Sequence, residues 1–393
     1  MVAASGATRR WTMVVLGFAG FVSGVSIRVA EPLLPKLAEE FASTPADTSI
    51  VITAYAMAYG LFQLLHGPLG DRFGKLRIIS IALLLSAASS FACASAETLE
   101  TLSIYRFLSG MTAGAVIPLA FAYIGDNFPF EQRQAVLGRF IGGILMGGLL
   151  GPLLGGVLSD SIGWRYVFLI PGVAFVLVSL ILGWIARDER VAERQPGGVL
   201  SVYWTLVNSS VVRAMCAFVL LEAFLFNGSI AFVGFFMREQ FDFSYTVIGL
   251  CLAGIGLGGV VYSFSVGQLI RRLGQARMVT IAGVVLAIML STLAVSAHAL
   301  AMGPILIVLG FAFSMLHNTM QTFATEMAPG ARGAGVALFA FSLFFGQALG
   351  VYLAGGAIER YGFAPVFVIS ALGLLMLGLR FSAWVSNQVG ARG

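Results

Sequence analysis

The stretch GPLGDRFGKLR, Gly67–Arg77, reads as a short, charged, glycine-rich turn between two long apolar runs. An echo, GQLIRRLGQAR, occupies Gly267–Arg277, an offset of 267 − 67 = 200 in a chain of 393 residues. Like turns at matching places predict a duplicated protein. The composition predicts its solvent: 59% of residues are hydrophobic and only 10% are charged, against about 25% charged in a soluble domain. The apolar runs are continuous and about 20 residues long, the length of a membrane-crossing helix. Barrel strands would be about half that length and would alternate polar with apolar. The 48 glycines suit helices that pack closely in lipid.

Twelve spans are predicted, at about 11–34, 48–66, 78–95, 99–123, 134–158, 164–186, 212–236, 245–266, 278–296, 302–323, 334–356 and 364–386. Arg9 and Arg10 precede the first. That run is too long for a signal-peptide core, and no small-residue cleavage site follows it, so it is read as a retained span. With the N-terminus inside, seventeen basic residues face the cytoplasm and four, Lys36, Arg165, Arg238 and Arg360, face outward. This charge bias predicts a multi-pass protein of the plasma (bacterial inner) membrane with both termini cytoplasmic. Residues 187–211 are polar, with a Pro196-Gly197-Gly198 turn, and read as a cytoplasmic linker. It separates a six-helix bundle at 1–186 from another at 212–393. The basic residues sit in loops, so nucleic acid is not an expected partner. Cys93, Cys216 and Cys251 lie within apolar runs without metal-ligand spacing, and read as small buried hydrophobes.

The repeat recurs elsewhere. Asp126 and Pro129 are echoed by Glu326 and Pro329, again 200 apart, while Asp160-Ser-Ile-Gly163 is echoed by Glu359-Arg-Tyr-Gly362 at 199. Six spans per half give the two repeats the same topology, related by an axis along the membrane normal.

The stretch Gly67-Pro-Leu-Gly-Asp71-Arg72-Phe-Gly74-Lys75-Leu-Arg77 resembles motif A of the major facilitator superfamily. Tyr105-Arg106 through Gly114 in the fourth span resembles motif B. Gly143 through Gly147-Gly148, Gly151-Pro152 and Gly155-Gly156 in the fifth resembles motif C, and Gly163-Trp164-Arg165 resembles the family's start of the sixth span. The resemblance covers the chain and is nearest to the drug:proton and sugar-efflux antiporters. It implies an all-α membrane fold of two six-helix repeats working by alternating access as a monomer. It further implies a gate of Gly67, Asp71, Arg72, Gly74, Arg77 and Asp126, with Asp71 set against the N-terminus of the eleventh span near Gly333. The echo carries Arg271 where the first copy has Asp71, so the halves are not expected to gate alike. Motif C implies antiport, with Gly151 and Pro152 giving a smooth, bent face toward the opposing half.

Ionisable groups inside spans are functional candidates because lipid makes them costly. Glu222, in the seventh span with no base within two turns but Arg213 at the membrane edge, is the leading proton-coupling candidate, in a network with Arg106. Arg28 and Glu31 share a face at i, i+3 and are candidates to exchange partners with that network. His317, Asn318 and Gln321 form a polar cluster in the tenth span. By the resemblance, the first, fourth, seventh and tenth spans line the cavity and their neighbours flank it. The substrate-binding candidates are Phe21, Tyr55, Tyr59, Gln63, Met146, Phe226, Asn227, Tyr262, Met315, His317, Asn318, Phe345 and Gln347. The expected function is proton-driven export of a small organic or amphipathic molecule. The alternatives are uptake of a nutrient or siderophore-like ligand and, more remotely, a non-transporting sensor. No nucleotide loop GxxxxGK[ST] occurs, which argues against an ATP-driven pump, and neither an enzyme nor a cofactor is expected.

Overall fold

The computed structural model describes residues 6–128, 130–189, 199–296 and 298–390. Pro129 of the repeat, Arg190, Arg194 and the Pro196-Gly197-Gly198 turn of the predicted linker, and Arg392 lie outside them. The described chain is helical throughout, and eleven helices are long and apolar enough to cross a membrane. They are α1 (Trp11–Glu40), α2 (Pro45–Phe73), α3 (Lys75–Ala94), α4 (Leu99–Asn127), α5 (Gln132–Ser161), α6 (Tyr166–Ile185), α7 (Ser210–Phe241), the pair within Tyr245–Val295, α10 (Ala299–Glu326), α11 (Arg332–Tyr361) and α12 (Phe363–Gln388). The 51 residues of Tyr245–Val295 would measure about 77 Å as one helix, far beyond a core of about 30 Å. Gly274, with φ 71° and ψ 163°, breaks them. Residues 245–273 form α8 and 275–295 form α9, which makes twelve crossings. We call the side bearing the α2–α3 turn and residues 199–208 the linker face, and the opposite side the far face.

Local chemistry sets the ends. α2 starts from a capping box in which Thr44 accepts the Asp47 N–H and Asp47 accepts the Thr44 N–H, with Pro45 at the first helical position. α4 starts from a like box between Thr98 and Thr101. The deciding stretch is not the extended turn its sequence suggests. α2 continues through Gly67 to Phe73, and Gly74 alone, at φ 97°, reverses the chain into α3. Only glycine takes that conformation readily. Gly274 does the same 200 residues later, so the repeat is legible in the backbone as well as in the letters.

The apolar core is divided. The largest cluster draws on residues between Val212 and Val385, and two others on residues between Val15 and Ala186. A smaller one joins both halves through Leu34, Ile52, Phe232, Phe235 and Val351. On the outside, α6 leaves Val173, Leu177, Leu180 and Trp184 exposed, a lipid-facing stripe. The glycine face of α5 differs from its expected use. Gly143, Gly147, Gly151 and Gly155 pack on the α1 backbone at Gly17, Phe21, Val25 and Val29, within the same half. It is the adjacent face, with Leu149, Pro152 and Gly156, that meets the opposing half at Gly256, Gly249 and Tyr245 of α8.

Candidate functional site

Glu222 lies midway along α7 and is fully buried. Its Oε2 stands 2.8 Å from Nδ1 of His317 on α10. The imidazole stacks on Phe313, one turn earlier, and lies against Phe339 of α11. Phe226, one turn past Glu222, stacks on Phe313 with centroids 4.0 Å apart. An acid and a base thus meet among aromatic rings, the carboxylate fully buried and the imidazole partly accessible. A buried carboxylate is costly unless paired, and a neighbouring imidazole removes that cost by sharing one proton with it. A second proton, or loss of the first, leaves the pair with net charge. Glu222 Oε1 has no hydrogen-bond partner, so one acceptor stays free. The sequence shows no base within two turns of Glu222 but Arg213; the structure supplies one from α10, 95 residues further along.

Arg106 does not join this pair. Its guanidinium lies 4.0 Å from the Tyr55 ring centroid and 5.8 Å from that of Phe168, and its Nε donates to the Val51 carbonyl at 3.4 Å. No carboxylate among the described residues forms an ion pair with it. The aromatic faces hold this buried cation through their quadrupoles, an effect worth about 2 kcal/mol when desolvated. The expected Glu222–Arg106 network is therefore absent: Arg106 is turned onto groups of the first half and Glu222 onto His317 of the second. Arg28 and Glu31 pair with each other at 2.8 Å, and Glu31 Oε2 is buried without a partner.

The substrate candidates separate into groups. Phe226, Tyr262 and Met315, named above as substrate-binding candidates, lie in the packed core of the second half. Tyr59 is buried against Phe344 across the interface between the halves, centroids 4.1 Å apart. Gln63 is buried with Oε1 unpartnered. Asn227 donates back to Ala223. Phe21, Phe345 and Gln347 are half-buried, and Met146 and Asn318 are exposed. The sequence reading did not find Phe313 or Phe339 as neighbours of Glu222, and nothing in their local sequence marks them among 32 phenylalanines.

A family model for the Major Facilitator Superfamily matches residues 16–350. The chain belongs to this superfamily. Its transporters carry small molecules across membranes, and the fold agrees. A bacterial homolog of the human lysosomal transporter Spinster, solved in an inward-facing, occupied conformation, superposes with a TM-score of 0.75 at 17% identity, over 98% of each chain. The nucleoside transporter NupG superposes with a TM-score of 0.73 at 16% identity, over 94% of this chain and 97% of that one. In sequence, the chain is 26% identical to the uncharacterized transporter YwfA of Bacillus subtilis, over 94% of this chain and 90% of that protein. It is 25% identical to the multidrug export protein EmrB of Haemophilus influenzae, over 70% of this chain and 64% of that protein.

In this superfamily member the motif A residues form a network within their own half. Lys75 binds Asp71 at 3.0 Å and also binds Asp126. Asp71 remains largely exposed and makes no hydrogen bond or ion pair with α11, so the expected contact with that helix's N-terminus is not formed here. Glu189, at the start of the linker, takes the cap position of α3 instead. Its carboxylate accepts the N–H groups of Leu76 and Arg77 at 3.0 and 3.1 Å and fills the space beside Gly74. Its place in the polar 187–211 segment does not mark Glu189 as a helix cap. Further along the linker, helix Val199–Asn208 sends Tyr203 to donate its hydroxyl to the Leu64 carbonyl at 3.1 Å. Pro68, four residues on from Leu64, has no N–H to give that carbonyl. Burial pushes the Tyr203 phenol above its ordinary pKa, which keeps it a donor.

Proposed function

We propose that this transporter is a proton-coupled antiporter that exports a small amphipathic organic molecule, with Glu222 and His317 as the coupling pair. The observation that carries this reading is the 2.8 Å Glu222–His317 contact, set among Phe226, Phe313 and Phe339 with the Glu222 side chain fully buried. A group that couples protons to a conformational change must hold its proton more tightly in one state than in the other. A buried acid–base pair can do so, because any motion of α7 against α10 that parts the two side chains leaves each unpaired in low dielectric. Likeness to EmrB, a multidrug export protein, and motif C on α5 support export. The aromatic surroundings favour a partly apolar substrate. The excess of basic residues on the linker face supports a cytoplasmic location for it, and on that reading the conformation is inward-facing.

The test uses purified protein in proteoliposomes and a substrate found by a thermal-shift screen. Glu222→Gln is expected to abolish transport driven by a pH gradient and to preserve substrate exchange at equal pH. Proton-driven transport at the parent rate in that variant would exclude Glu222 as the coupling group. The direction of substrate movement under an imposed gradient separates export from uptake.

A further inference from the structure

The geometry points to a far-face lock built twice from the same repeat position and closed on its axis by a third contact. Asp160 at the end of α5 caps α8, Glu359 at the end of α11 caps α2, and Glu39 meets Arg238 between them. Asp160 accepts the N–H groups of Tyr245 at 3.3 Å and Thr246 at 2.7 Å. Glu359 accepts the Ala46 N–H at 3.1 Å. Both acceptors and donors obey the repeat: 359 − 160 is 199, and Thr246 lies 200 after Ala46, as the cap Ser244 does after Thr44. So does the approach beneath them. Gly156, one turn before Asp160, leaves no room for a Cβ against the Tyr245 carbonyl. Gly355, one turn before Glu359, would place one 2.9 Å from Ala46 Cα.

These contacts go beyond the coupling chemistry proposed above and hold for either direction of transport. The first amides of a helix have no partner within it and carry the positive end of its dipole, so a carboxylate there is favoured. Each helix has a local cap that satisfies only part of this need. Thr44 takes the Asp47 N–H in α2, and Ser244 takes the Val247 N–H in α8. The remaining first-turn amides at Ala46, Tyr245 and Thr246 are satisfied by the other half of the molecule. When the halves part at this face, those amides and both carboxylates return to solvent together.

The third contact fixes the centre. Glu39 Oε1 and Arg238 Nε are 3.3 Å apart, and the repeat counterpart of Glu39, 200 residues on, is Glu239. Arg238 is thus the immediate neighbour of the position equivalent to Glu39, and near-equivalent positions of a duplicated chain meet close to the axis that relates the halves. Lys36 and Arg238 both lie over the Tyr245 ring, at 5.7 and 5.3 Å from its centroid, which joins the axial pair to the α8 cap. Arg238 also binds Asp242 of its own half at 3.0 Å, so it keeps a partner when the lock opens. Each contact is solvent-accessible and individually weak, as a gate that must reopen requires.

The experiment places spin labels at Glu97→Cys and Leu300→Cys, exposed positions on far-face turns of opposite halves. Cys93, Cys216 and Cys251 are replaced by serine in the full chain, which is held in lipid nanodiscs. The distance distribution is then read by pulsed dipolar spectroscopy. Asp160→Ala with Glu359→Ala is expected to raise the longer-distance population several-fold, and each single change to raise it less. Glu39→Arg and Arg238→Glu are each expected to raise it, and the swap of both to return it toward the parent. A double-alanine protein that elutes and melts like the parent with an unchanged distribution overturns the proposal. So does a swap no nearer the parent than its single variants, a comparison that stands even if the double-alanine protein fails to fold.

Discussion

Glu222 and His317 carry the functional reading, and their geometry makes it testable by residue. Replacing His317 with alanine leaves Glu222 buried without its base, and breaking a buried pair costs about 3–5 kcal/mol unless the remaining group neutralises. Proton-driven transport should be lost across the neutral pH range, with less loss of substrate binding, as read by uptake and thermal shift. Restoring a base with His317→Lys should recover part of the pH dependence. Arg106 makes a different prediction. It is held by the Tyr55 and Phe168 rings, so Tyr55→Leu should cost about 2 kcal/mol of stability, seen as a lower melting temperature. Tyr55→Phe, which keeps the ring, should cost much less.

At the scale of elements, close backbone approach and an orphaned carbonyl decide how helices fit. A Cβ on Gly147 would clash with the Phe21 carbonyl of α1, whereas Gly142 has nothing within 4 Å. Gly147→Val should therefore destabilise the first half by about 1–3 kcal/mol or more, and Gly142→Ala should be tolerated, as judged by melting temperature and yield. The Tyr203 hydroxyl takes the place of the N–H that Pro68 lacks. Tyr203→Phe should cost about 1 kcal/mol, the net worth of a hydrogen bond. In a Pro68→Ala background, where α2 can satisfy Leu64 itself, that cost should shrink. A double-mutant cycle read from melting temperatures measures this coupling.

Over the whole molecule, near-symmetry of build coexists with asymmetry of contacts. The far face is tied by repeat-related contacts, while the linker face carries an Asp71–Lys75–Asp126 network in one half and Arg271 at the matching place in the other. If Asp71 reaches α11 only when the linker face closes, Asp71→Asn should slow transport while leaving the melting temperature of the present conformation nearly unchanged. A fall in melting temperature comparable to that of Gly147→Val would mean that Asp71 already supports this state.

The sequence by itself determined that the chain spans a membrane with helices, that its halves repeat, and where the charged and glycine-rich positions fall. Those features are local: apolar runs, turn residues and a near-constant offset of 199 or 200 are written along one dimension. The Arg28–Glu31 pair was legible for the same reason, being one helical turn apart. Only the tertiary structure decided which distant groups meet. It gave Glu222 a base 95 residues away, withheld Arg106 from it, and placed the glycine face of α5 on α1. It also ran α2 through the opening stretch to Gly74, so that GPLGDRFGKLR is mostly the end of a helix. The physical reason is that a buried charge or a free carbonyl needs a partner wherever packing can supply one. Packing between halves depends on helix rotation and tilt, which periodicity does not record.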